Sequence, residues 1–165
     1  MSIELIVLDV DGTLTDGKIT YTNSGDELKS FCVKDGLAIA SWIRLGKSVA
    51  IITGRESDIV ARRASELGIK HFYQGVHNKQ EVLVEILHKL NLTMENVASA
   101  GDDLNDLTML KASKRSYVPH NASTYVKKEA DVILTHNGGD SAIREMIEEL
   151  IVSEGLEEEY LALWS

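Results

Sequence analysis

Cysteine occurs once in the 165 residues, at Cys32, so no intrachain disulfide can form and nothing points to an oxidising compartment; a cytoplasmic setting is expected. Proline also occurs once, at Pro119, in what reads as a connection. Positive charge is scarce: 17 basic against 26 acidic residues leave a net charge of −9, which excludes a polyanionic duplex as partner because phosphate neutralisation needs a Lys/Arg surplus. With two Phe, five Tyr and two Trp and no basic stripe among them, the chain is also a poor stacking platform for single-stranded nucleic acid. Long apolar runs are missing, since Asp9 and Asp11 interrupt the N-terminal one; that segment is expected to be neither signal nor membrane anchor. The histidines at 71, 77, 88, 120 and 136 lack the spacing of a zinc site. Length argues for a single domain over residues 1–165.

Short β-rich runs alternate with segments of helical period, the pattern of a doubly wound α/β fold: a parallel, Rossmann-like sheet with helices on both faces. Strands are expected at Ile3 to Val10, Lys47 to Thr53, His71 to Tyr73, Val97 to Ala100, Arg115 to Val118 and Asp131 to Leu134. Asp35 is read as the cap of a helix ending at Gly46, and Ser57 or Asp58 as the start of one ended by Gly68. Val82, Leu83, Ile86, Leu87 and Leu90 form one helical stripe and Ile143, Met146, Ile147, Leu150 and Ile151 another; both read as core contacts. Residues 17–32 read as a β-hairpin turning at Asn23-Ser24-Gly25-Asp26, placed to act as a flap after the first strand. The acidic tail, residues 154–165, carries a small apolar set for docking on a neighbouring subunit or extending the last helix.

Chemistry-bearing residues fall where apolar strands end, and in such a sheet ligands sit beyond the C-terminal strand ends. Asp9 follows Ile6-Val7-Leu8 and can attack phosphorus to give an acyl-phosphate. Asp11, two residues on, can protonate a leaving alkoxide and then activate water, and Gly12 permits the turn that brings both carboxyls to one ligand. Two carboxylates facing a phosphate dianion need an intervening cation, so Mg²⁺ is expected, with Asp102 as the second carboxylate ligand. Asp103 and Asp106 can orient that shell, and Asn105 can bond locally. Thr53 and the Gly54 amide can donate to phosphoryl oxygens, while Lys79 offsets the charge that shifts during transfer. Asp102-Asp103 also suits the cap of a helix starting near Leu104.

The ordered set Asp9-x-Asp11-Gly12-Thr13, Thr53-Gly54-Arg55, Lys79 and Gly101-Asp102-Asp103-x-x-Asp106 resembles the motifs of the haloacid dehalogenase-like hydrolase superfamily. The resemblance implies Asp9 as nucleophile, Asp11 as acid/base, Thr53 and Lys79 on the phosphoryl group, and Mg²⁺ on Asp9, the Asp11 backbone carbonyl and Asp102. The stretches available for an inserted cap domain are consumed by the hairpin and core elements, so the capless subgroup is implied. Asp16-Gly17, Val33-Lys34-Asp35-Gly36, Tyr73-Gln74-Gly75, Asn78-Lys79, Gly138-Gly139 and Ala142-Ile143-Arg144-Glu145 extend the resemblance to the 3-deoxy-D-manno-octulosonate 8-phosphate phosphatases. That family implies a phosphorylated sugar-acid substrate, a place in lipopolysaccharide biosynthesis, and a homotetramer in which neighbouring subunits help close each site. Arg55 would then bind the substrate carboxylate through its guanidinium fork, with Arg62 and Arg63 further candidates, one of which is expected to pair with Glu66 on the same helix; Arg55 favours the octulosonate over the similar deaminoneuraminate or acylneuraminate 9-phosphate ester. Asp140-Ser141 departs from the family's glycine-rich segment and removes a cation from it. Two other readings stay open: a receiver-like phospho-aspartate signalling domain, and a sugar-phosphate-binding subunit without catalysis.

Overall fold

A computed structural model describes residues 1–165. Its centre is β1 (Leu5–Leu8), whose side chains alternate between two apolar layers, as period-two geometry requires. Ile6 and Leu8 face α1 (Val33–Arg44), α2 (Asp58–Leu67) and α6 (Ala142–Ser153), where Trp42, Val60, Ile143, Met146 and Ile147 complete the larger core. Leu5 and Val7 face the opposite layer, built on α3 (Lys79–Leu90) and α4 (Leu107–Ala112) through Leu83, Ile86, Leu87 and Met109. Both expected apolar stripes are therefore core faces.

The main sheet contains β1, β4 (Ser48–Ile52), β5 (His71–Tyr73), β6 (Val97–Ala100), β7 (Arg115–Val118) and β8 (Val132–Ile133), in the order β5-β4-β1-β6-β7-β8. All neighbouring pairs are parallel. The chain winds outward from β1 to β5 and then returns to β6 on the other side, so β1 and β6 flank the point where the winding reverses. Open α/β sheets bind ligands at that crevice. In register, Leu8 lies opposite both Ile51 and Ala100, so the segments following β1, β4 and β6 leave the sheet at one rim.

The flap consists of β2 (Thr20–Tyr21) paired antiparallel with β3 (Glu27–Leu28) around a turn whose Gly25 has φ +93°. No cap domain separates it from the sheet elements. The last expected strand is shorter than the run suggested, only Val132–Ile133, because Asp131 is engaged by the Ser116 amide and hydroxyl.

Two local expectations are corrected. Asp35 does not cap α1, which begins at Val33 after Cys32; it is buried in the first turn, where its Oδ1 accepts the Arg144 amide. Ser141 has φ +74° and makes no side-chain cap, so Asp35 supplies an acceptor for the α6 N-terminus from a separate helix. The tail does not extend α6 either. Gly155, at φ +70°, breaks the helix and α5 (Thr124–Lys127) is followed, after α6, by a short α7 (Glu157–Ala162) that folds back onto its own chain. Leu156 and Tyr160 pack on the larger core, while Arg44 donates to the Leu163 carbonyl and stacks on Trp164.

Candidate active site

Asp9 continues the β1 ladder by one residue, its amide donating to the Ala100 carbonyl, and then points its side chain into the rim. Lys79, the first residue of α3, turns inward and is only 1% exposed. Its ammonium donates to Asp9 Oδ1 at 2.7 Å and to Asp106 Oδ1 at 2.6 Å. A lysine at a helix start is ordinarily solvated; burial at this position requires both carboxylate partners.

Asp106 joins these elements. Its Oδ2 accepts the amides of Asp102 and Asp103 at 2.9 and 3.1 Å, which shapes the loop after β6. Asp103 caps the following single turn, Leu104–Asp106, by accepting the Leu104 amide. The two expectations for the Asp pair thus divide: Asp103 caps, and Asp102 points to the site. Asp102 Oδ1 accepts the Thr13 hydroxyl at 3.0 Å.

Gly12 makes that approach possible. Its φ is +94°, and a Cβ at this position would lie 2.0 Å from Asp102 Oδ2. Gly138 and Gly139 pack against the same loop from the other side: a Cβ on Gly138 would meet the Gly12 carbonyl at 1.8 Å, and the Gly139 amide donates to the Thr13 carbonyl. The glycine pair therefore supports the loop after β1 through backbone contact, independently of the Asp140-Ser141 that follows.

Carboxylate oxygens of Asp9, Asp102 and Asp106 all lie within 4.8 Å of one another. Three negative groups surround one ammonium, and burial is the main reason that Asp9 is pushed up to about 7 and Asp106 to about 6. Lys79 lowers Asp9 while the Asp102 carboxyl raises it further; the Asp9 charge raises Asp106. Asp102 is raised as well, chiefly by burial. Burial alone would lower Lys79, but the adjacent Asp9 and Asp106 reverse the direction and raise it. This uncompensated negative charge, carried on hard oxygen donors, fits a divalent cation of the Mg²⁺ type.

Of the other expected site residues, Thr53 is buried directly after β4, with its amide on the Tyr73 carbonyl and its own carbonyl accepting the Val76 amide. Gly54 follows at the exposed rim, facing Asn105. Arg55 is half exposed and ion-pairs with Glu27 of the flap at 3.2 Å. Asp11 is not one of the three clustered carboxylates, and its Oδ1 accepts the Lys29 ammonium of the flap at 2.7 Å. Arg63 is placed elsewhere: it pairs with Glu66, stacks on Phe31 and lies over Gly36, because the α2 face that carries it packs on α1. None of these contacts reaches the carboxylate cluster. The expectation that Asp106 orients this loop holds, whereas two participants escaped the sequence reading of the site: the Thr13 hydroxyl on Asp102, and Lys29.

Comparison with known proteins agrees with this geometry. The haloacid dehalogenase-like hydrolase profile matches residues 71–147. The 3-deoxy-D-manno-octulosonate 8-phosphate phosphatase of Escherichia coli K12 is 40% identical over 93% of this chain and 82% of its own length. The chain belongs to the haloacid dehalogenase-like hydrolases. Within them it is a capless phosphoric monoester hydrolase similar to the 3-deoxy-D-manno-octulosonate 8-phosphate phosphatases. The Moraxella catarrhalis phosphatase of that name, solved with magnesium, phosphate and its sugar acid, superposes with a TM-score of 0.95 at 37% identity, covering 99% of this chain and 94% of that one. The cobalt-bound Haemophilus influenzae phosphatase gives a TM-score of 0.89 at 37% identity, covering 93% and 90%. No helix is long and apolar enough to cross a membrane.

Proposed function

We propose that this hydrolase releases phosphate from 3-deoxy-D-manno-octulosonate 8-phosphate, in lipopolysaccharide biosynthesis, through a phosphorylated Asp9. The observation that carries the reading is the buried Asp9–Lys79–Asp106 triad with Asp102 seated on Gly12 at the sheet's reversal point. Asp9, Asp102 and the Asp11 backbone carbonyl would hold the magnesium ion. When bound, the ion supplies the positive charge that lets a phosphate dianion approach a buried carboxylate and favours ionised Asp9.

The chain's own groups account for the remaining steps. An Asp9 oxygen forms a bond to phosphorus as the ester P–O bond breaks, and Asp11 passes a proton to the departing sugar oxygen. Water then attacks phosphorus, Asp11 takes its proton, and the Asp9–phosphorus bond breaks to restore the carboxylate. Thr53 and the Gly54 amide donate to the phosphoryl oxygens while Lys79 compensates charge from beneath. Glu27 holds only one guanidinium nitrogen of Arg55 at the exposed rim, and the remaining N–H groups would take the substrate carboxylate with that pair intact.

A single-domain chain in a homotetramer, working in the cytoplasm, completes the reading. Exposed Tyr21 and Leu28 on the flap and Val33 and Leu37 at the start of α1 supply apolar surface for a subunit contact. Phosphate release from a panel of phosphorylated sugar acids with Mg²⁺ tests the assignment. Preference for the octulosonate ester over nonulosonate 9-phosphates supports it, and the reverse order transfers the assignment to the neuraminate class. Sedimentation as a monomer would remove the shared-site arrangement.

A further inference from the structure

We infer that Lys29 of the flap is a positioning residue for Asp11, setting the direction of the acid/base carboxyl; this rests on the acid/base role proposed above. The Lys29 side chain is 0% exposed although it sits on a two-stranded hairpin beyond the sheet. An ammonium is not withdrawn from water without a partner, and its one ion pair is to Asp11 Oδ1 at 2.7 Å. The contact spans 18 residues and joins the flap to the segment just past β1.

Asp11 accepts no other side-chain hydrogen bond, in contrast to the neighbouring acids. Asp9 is fixed by Lys79, Asp102 by Thr13, and Asp106 by Lys79 and two amides. The flap lysine is therefore what fixes the Asp11 rotamer, holding one carboxyl oxygen and leaving the other for proton exchange. A second pair keeps the flap in register without Lys29. Glu27, two residues earlier on the same strand face, holds Arg55 after β4, so the strand end carries an anion for one rim segment and a cation for the next. Leu28 between them faces outward, as the alternation requires. Loss of the Lys29 charge should release Asp11 while Glu27 still tethers the flap.

The test is a double-mutant cycle with Lys29→Met, which keeps the aliphatic stem, and Asp11→Asn, read as kcat and KM for phosphate release with saturating Mg²⁺. Misplacement of an acid/base group by about 1 Å costs up to ~100-fold, so Lys29→Met should lower kcat by about 10- to 100-fold with KM changed by less than about twofold. Lys29→Arg, which restores the cation, should recover most of that loss. Placed on Asp11→Asn, the Lys29→Met change should lower kcat by less than about twofold, because its target is already gone. Equal loss in both backgrounds, a raised KM with kcat preserved, or no loss at all would overturn the inference. An Asp11→Asn enzyme of wild-type kcat would instead overturn the acid/base reading beneath it, so the two failures are distinguishable.

Discussion

Replacing Gly12 by alanine separates two costs that usually arrive together. Gly12 and Gly25 have nearly the same φ, +94° and +93°, but a Cβ at Gly25 meets nothing within 4 Å, whereas one at Gly12 would lie 2.0, 2.5 and 2.9 Å from Asp102 Oδ2, Cγ and Oδ1. Positive φ costs a side-chain-bearing residue about 1–2 kcal/mol at either position. Only at Gly12 must a carboxyl group also retreat, by roughly 1.5 Å, to reach ordinary contact at ~3.5 Å. Asp102 cannot swing freely, since Thr13 holds Oδ1 and the Asp106 carboxylate holds its amide. Both variants should therefore lose about 1–2 kcal/mol in urea unfolding, with Gly12→Ala losing somewhat more. Displacing a metal-orienting group costs about 10- to 100-fold in metal affinity, so the Mg²⁺ concentration for half-maximal phosphate release should rise by that factor in Gly12→Ala and stay put in Gly25→Ala. Equal Mg²⁺ dependence in the two variants would refute the claim that Asp102 needs the space that glycine leaves.

Lys79→Met leaves Asp9 and Asp106 buried without their shared cation; removing one member of a buried ion pair costs about 3–5 kcal/mol, so thermal unfolding should shift down by about 6–20 °C as well as abolish turnover. Mg²⁺ at a hundredfold excess over its Kd should stabilise the wild type by about 2.7 kcal/mol, and Asp102→Asn should lose most of that shift in a calorimetric scan. Asp35 is buried and raised from 3.8 to about 6, mainly by burial and partly offset by the Arg144 amide, so the folded chain holds its proton more tightly than the unfolded chain does. Its contribution is present below about pH 4 and is lost as pH rises through about 6. Relative to Asp35→Asn, the wild type should lose up to about 3 kcal/mol between pH 4 and 7, and a pH-independent difference in urea unfolding would contradict this.

The sheet was legible because Ile3 to Val10 and Val97 to Ala100 are apolar runs that end in Asp and Gly, and buried parallel strands read as such. Asp9, Thr53, Lys79 and Asp102 could be named because each stands at a strand end or helix start whose place at the rim follows from the winding. Contacts between distant elements were not legible. Asp35 has the composition of a local cap, yet it serves the N-terminus of α6, because α1 and α6 pack together and Ser141 lacks the geometry to cap. Arg63 looked like a second guanidinium for the substrate, but its position on the α2 face next to Gly36 is set by helix packing that no local pattern encodes. Lys29 belongs to the same class, since the pairing with Asp11 depends on how the hairpin folds over the rim.

The central claim, that Asp9 bonds to phosphorus, is tested most directly by borohydride reduction during turnover with Mg²⁺ and substrate, followed by peptide mass spectrometry. An acyl-phosphate at Asp9 would be reduced to homoserine at position 9, and only when substrate is present. Homoserine at Asp102 or Asp106, or turnover with no reducible carboxyl at Asp9, would contradict the account.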